Sequence, residues 1–116
     1  MTKLSHIDIN VSDYAKSIRF YDLILKPLGW KRLVCHKEFT TFCDGSMKIC
    51  LCPTDKKYLS DGFHRKRTGL NHLAFYAQSK LEVDEFYQNV LVKNDIVCLY
   101  EKVPSGDDAY YAVFFE

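Results

Sequence analysis

The chain has 116 residues, enough for one domain with its own core. Lys and Arg number 16 against 15 Asp and Glu, for a net charge of +1, and 47% of the residues are apolar. This composition argues against disorder and gives no case for nucleic acid or an anionic membrane as partner, and no apolar run approaches the ~20 residues of a membrane span.

The N-terminus, Met1-Thr2-Lys3, leads straight into an alternating segment, which predicts no signal peptide. Over residues 4–11, His6, Asp8 and Asn10 fall on one face and Ile7, Ile9 and Val11 on the other, the pattern of a half-buried strand. Ser12-Asp13 then opens a helix over 13–26, with Tyr14, Ile18, Tyr21 and Leu25 at helical spacing and Pro27 and Gly29 closing it. Three strands are predicted next, at Lys31 to Cys35, Glu38 to Cys43 and Met47 to Cys52, with Asp44-Gly45 as a turn. The last of these alternates Met47, Ile49 and Leu51 against Lys48, Cys50 and Cys52.

Residues 55–68 read as a linker, in a stretch from Pro53 to Gly69 that holds Lys56, Lys57, Arg65, Lys66 and Arg67. Such a run is ordinarily a solvated segment; the sharper reading is a basic loop over a site for an anionic substrate.

Beyond the linker the chain repeats itself. Leu70-Asn71-His72-Leu73-Ala74-Phe75 follows Leu4-Ser5-His6-Ile7-Asp8-Ile9 at an offset of 66 residues, and Phe86-Tyr87 follows Phe20-Tyr21 at the same offset. Internal repeats dictate the fold, so each copy is read the same way. The second has a strand near Leu70, a helix over 80–93 opened by the capping box Ser79-Lys80-Leu81-Glu82, and strands at Ile96 to Tyr100 and Tyr110 to Phe115. Val83, Phe86, Tyr87, Val90 and Leu91 form that helix's apolar stripe. The pattern is an α+β fold of two tandem units, strand-helix-strand-strand-strand and then strand-helix-strand-strand. The first covers about residues 1–54 and the second 69–116, the latter without its last strand.

Five cysteines, an odd number with no CxxC pair, argue against a zinc ribbon or a disulfide framework and predict a reducing, cytoplasmic setting. His6 and His72 are repeat equivalents, each on the first strand of its copy, so two imidazoles can face one cavity. A lone strand histidine is ordinarily structural; the symmetric pair points to metal ligation. His36 and His64 have no repeat partner and read as surface residues.

The segments HIDINVSDYAKSIRFYDLIL and NHLAFYAQSKLEVDEFYQNVL resemble the paired modules of the vicinal oxygen chelate superfamily. That group includes glyoxalase I, bleomycin resistance proteins, fosfomycin resistance transferases and extradiol dioxygenases. The resemblance implies two βαβββ modules forming a curved mixed sheet around a cavity, often in a homodimer. It also implies a divalent metal (Mn, Fe, Co, Ni or Zn) held by His6 and His72, with a Glu from an eighth strand.

The chain departs from that pattern twice. Glu116 aligns with the turn residue Asp44 and does not fit the missing Glu, which suggests a truncated chain. The strand Met47 to Cys52 carries no carboxylate where glyoxalase I has a ligand; Cys50 or Cys52 as a thiolate ligand is the minor alternative. The leading expectation is a metal-dependent lyase, transferase or dioxygenase, not glyoxalase I itself, acting on a small oxygen-rich substrate with the ion as Lewis acid. The rivals are a metal-free, drug-binding protein of the bleomycin-resistance type and a non-catalytic interaction module. Asp8 and Asn10, on the His6 face, are expected to orient ligands or substrate or to be solvated.

Overall fold

The alternation at the start of the chain becomes β1, His6–Val11, whose odd-numbered residues are half-buried and even-numbered ones exposed, as expected. The computed structural model describes residues 1–100 and 103–116, and the chain divides into two compact units, Met1–Asn71 and His72–Glu116.

In the first unit Asp13 caps α1, Tyr14–Leu25, by accepting the Lys16 N–H at 3.0 Å. A short 3-10 turn, Lys26–Leu28, carries Pro27 in its first positions. It ends at Gly29, whose φ of 85° suits a residue without Cβ. The chain then forms β2 (Lys31–Cys35), β3 (Thr40–Cys43) and β4 (Lys48–Pro53) in a mixed sheet of order β1-β4-β3-β2. β1 runs parallel to β4, while β2–β3 and β3–β4 are antiparallel. β3 starts two residues later than expected. His36 donates its N–H to the Phe39 carbonyl at 2.8 Å, so Glu38 and Phe39 belong to the turn.

The core lies on the helix side of the sheet. Phe42, Ile49 and Leu51 are at most 1% exposed, as is the polar Thr40, and Ile24 and Leu25 of α1 are buried with them. Thr40 is satisfied there, because its hydroxyl donates to Cys35 Sγ at 3.5 Å and lies 2.7 Å from the Tyr14 hydroxyl. The tyrosine in turn donates to the His36 carbonyl at 2.7 Å. At the rim, Arg32 donates to Asp22 at 2.6 Å.

The Asp44-Gly45 turn forms as expected. Asp44 Oδ1 accepts the Ser46 and Met47 N–H groups, both at 2.8 Å, and these two bonds hold its carboxyl below the ordinary aspartate value. The linker contains a 3-10 helix, Lys56–Asp61, capped by Asp55. In it Lys57 lies 5.0 Å from the Tyr58 ring centroid, and further on Arg67 donates to the Asp61 carbonyl at 2.8 Å.

The second unit is less regular than expected. The strand anticipated near Leu70 to Phe75 makes no ladder among the described residues. α2, Lys80–Phe86, opens with the expected cap: Ser79 Oγ accepts the Glu82 N–H at 3.1 Å, and Glu82 accepts the N–H of Gln78. From Tyr87 to Val92 the helix continues as a π-helix. Val83, Val90 and Leu91 are buried and Phe86 and Tyr87 half-buried, the expected stripe. Ile96 to Tyr100 and Tyr110 to Phe115 do pair, but through the single bridge Cys98 to Phe115 with flanking bonds from Leu99 to Phe114 and Glu116 to Val97. A hairpin not anticipated joins β5 (Ser105–Gly106) to β6 (Tyr111–Ala112). Tyr111 donates to Asp84 at 2.5 Å, pinning it to α2.

Leu51→Ala opens a cavity in the first unit's core and is expected to cost about 2–5 kcal/mol, whereas Leu33→Ala, at a residue 56% exposed, should stay within about 0.5 kcal/mol; urea unfolding measures both. Asp44→Ala has a pH signature. A carboxyl whose pKa is lowered by folding stabilises the fold above its unfolded value and stops doing so as pH falls through its folded value. The variant's deficit should therefore be full at neutral pH and shrink in acid, below the ordinary carboxylate range.

Candidate functional site

Because side chains alternate along a strand, residues paired across a ladder share a face. β1 places His6 opposite Lys48, Asp8 opposite Cys50 and Asn10 opposite Cys52, and β3 places Thr41 opposite Cys50. The sheet face away from the core therefore carries an imidazole, a carboxylate, an amide and two thiols in adjacent rows.

His6 stands open on this face. Its Nε2 is 3.9 Å from Asp8 Oδ1, and its Nδ1 is 3.1 Å from the Ser5 hydroxyl. The side chains of His6 and Asp8 are 53% and 60% exposed, so both can reach a ligand. Alternation along β1 is enough to put His6 and Asp8 on one face, whereas the contact of the Ser5 hydroxyl with His6 has no periodic signal in the sequence.

The thiols differ from one another. All five cysteines are free. Cys50 is half-buried with its Sγ 3.4 Å from the Thr41 hydroxyl. Burial raises the Cys52 thiol above its ordinary value, and the nearby Asp8 and Cys50 charges push the same way. Burial likewise raises Cys98. Cys35, on the opposite face, is exposed and lowered by hydrogen bonds from Thr40 and then Arg32.

His72 lies in the second unit on an exposed position, followed by half-buried Leu73, exposed Ala74 and half-buried Phe75. This in-out order is that of His6, Ile7, Asp8 and Ile9, so the repeat survives in burial even where no strand ladder forms. His36 and His64 are exposed, as expected. His36 stacks edge-on with Phe39 at 5.2 Å, and His64 Nδ1 accepts the Lys66 N–H at 3.1 Å. Among the described residues no three His, Cys, Asp or Glu side chains stand together as a ligand group.

The sequence model of the glyoxalase/bleomycin resistance protein/dioxygenase superfamily matches residues 3–116. The chain belongs to this superfamily. Within similar proteins, the uncharacterised protein YqjT of Bacillus subtilis (strain 168) is 35% identical over 114 residues, covering 97% of this chain and 89% of YqjT. A crystal structure from Bacillus halodurans, named provisionally as a glyoxalase, superposes with a TM-score of 0.90 at 38% identity over 97% of this chain and 86% of that one. A mutant of the fosfomycin resistance protein FosX from Listeria monocytogenes, crystallised with Mn(II) and 1S,2S-dihydroxypropylphosphonic acid, shares the fold at a TM-score of 0.68 and 21% identity, over 99% of this chain and 81% of FosX. No described helix of this superfamily member is long and apolar enough to cross a membrane.

The thiol environments set an order of reactivity, because the thiolate is the nucleophile. With limiting iodoacetamide near the ordinary thiol pKa of about 8.5, Cys35 should be alkylated before Cys52 and Cys98, as peptide mass spectrometry would read. Equal labelling of the three would contradict the described environments.

Proposed function

We propose that the chain is a metal-dependent enzyme of this superfamily, with His6 and His72 holding one divalent ion and a small oxygen-rich molecule as substrate. The observation that carries the reading is the matched burial of the two histidine segments. Each begins with an exposed imidazole and alternates apolar residues inward at the 66-residue offset. The donor chemistry suits the group, because imidazoles bind first-row ions such as Mn, Fe, Co, Ni or Zn, and a FosX mutant of the same fold is crystallised with Mn(II).

A divalent ion, when bound, would supply Lewis-acid polarisation of substrate oxygens. The chain's own residues do the rest. Ser5 fixes the His6 ring through a hydrogen bond between its hydroxyl and Nδ1, and in the tautomer that carries its proton on Nδ1 the Nε2 lone pair would be available to an ion. Asn10, next along the face, offers an amide to a substrate oxygen. The reading includes a lyase, transferase or dioxygenase activity, but it disfavours glyoxalase I itself, because β4 presents Lys48, Cys50 and Cys52 and no carboxylate to this face. It also includes a cytoplasmic homodimer.

Calorimetric titration with Mn(II) tests the ion site. The parent chain should bind one equivalent, and His6→Ala and His72→Ala should each weaken binding by well over tenfold. Binding that neither substitution changes would contradict the reading and leave a metal-free, drug-binding protein of the bleomycin-resistance type as the better account.

A further inference from the structure

Two neutral imidazoles supply bonds to a divalent ion but no charge to offset it. The first unit places a charge beside one of them. His6 and Asp8 occupy alternate positions of β1 and so project from one face, and their side chains lean together until Nε2 and Oδ1 are 3.9 Å apart.

That distance is informative. A direct hydrogen bond to a carboxylate would need about 2.7–2.9 Å, so the two groups face each other across a gap that no direct bond closes. An ion bonded to an imidazole nitrogen at ~2.0–2.1 Å and a carboxylate oxygen at ~2.0–2.2 Å holds those donors between roughly 3.4 Å apart at a tetrahedral angle and roughly 4.2 Å when they are opposed. The observed separation falls inside that window. The rest of each group is already arranged for it. His6 Nδ1 is engaged by Ser5, and Asp8 accepts no hydrogen bond among the described residues. With the side chain 60% exposed, its oxygens are open to an ion. The repeat gives the second unit no counterpart, since Ala74 stands where Asp8 does, so the carboxylate belongs to the first unit alone.

We propose that Asp8 is a ligand, through Oδ1, of the same divalent ion as His6. The proposal rests on the metal-binding reading of His6 and adds to it a charged donor on the first strand. A site of imidazole and carboxylate favours borderline ions such as Zn, Co or Mn over soft ones, which the thiols opposite would otherwise prefer.

Cobalt(II) tests it, because its visible absorption reports the ligand set as well as the affinity. The full chain, Asp8→Asn, Asp8→Glu, His6→Ala and His72→Ala are titrated with Co(II), and circular dichroism checks that each is folded. Asp8→Asn keeps the side chain's shape and removes its charge at an exposed position. It should weaken binding by more than the roughly 10–100-fold that loss of an outer partner costs, and it should alter the spectrum of the bound ion, with Asp8→Glu recovering part of both. An unchanged spectrum for Asp8→Asn, whether or not affinity falls, would overturn the proposal and leave Asp8 as an ion-pair neighbour of His6. The His variants separate the two readings. Loss in His6→Ala and His72→Ala with Asp8→Asn like the parent sinks Asp8 alone. Loss in His6→Ala and Asp8→Asn but not in His72→Ala keeps Asp8 and sinks the paired-histidine reading. No cobalt binding by the parent overturns both.

Discussion

Six residues of β1 are held against six of β4 in one parallel register, with Ile7 against Ile49 and Ile9 against Leu51. Side chains alternate with a period of two, so a slip by one residue would turn the isoleucines outward and His6 and Asp8 into the core. Ile49 and Leu51 are at most 1% exposed, and that burial makes any other register costly. Packing on the helix face thus decides what stands on the opposite one. A parallel pair also needs a crossover connection, and α1 within it covers the core face. The histidine, the carboxylate and the thiols are positioned by apolar side chains on the opposite face of the sheet.

The same register sorts the donors by availability. His6 and Asp8 lie on the edge strand, half or more exposed, where a ligand can arrive. Cys50 and Cys52 lie one strand inward and are half-buried. Cys50 is close to the Thr41 hydroxyl, and burial together with the neighbouring carboxylate raises the Cys52 thiol above its ordinary value. Half-buried cysteines ordinarily pack as small hydrophobes, so the outer row is the more accessible to a ligand. Membership of the superfamily is shown by the match over residues 3–116, and the proposed ion site rests on this chain's own strand register.

Much of the first unit could be read from local pattern. Alternation located β1 and β4, helical spacing with Asp13, Pro27 and Gly29 bounded α1, and Asp44-Gly45 marked its turn. Each of these signals is a short-range physical requirement written in neighbouring residues. The buried Thr40 was not legible, because its partners, Tyr14 and Cys35, lie far off or across a turn. In the second unit alternation at His72 to Phe75 predicted which residues turn inward, and that order holds. The strand expected there makes no ladder among the described residues, because a strand also needs an edge to pair with, and no local pattern encodes one. The π-helical stretch from Tyr87 has no signal in the spacing of apolar residues. The site divides the same way. His6 and Asp8 on one face followed from alternation, whereas their 3.9 Å approach and the Ser5 contact depend on side-chain rotamers that no residue pattern encodes.

The central claim is that the outer row of this sheet face binds a divalent ion through nitrogen and oxygen donors. X-ray absorption spectroscopy on the zinc-loaded chain reads that coordination shell directly. The account predicts nitrogen and oxygen neighbours at ~2.0–2.2 Å, with the outer-shell scattering of imidazole. Sulfur neighbours at ~2.3 Å would place the ion on the thiols instead, and a shell without imidazole scattering would contradict the account outright.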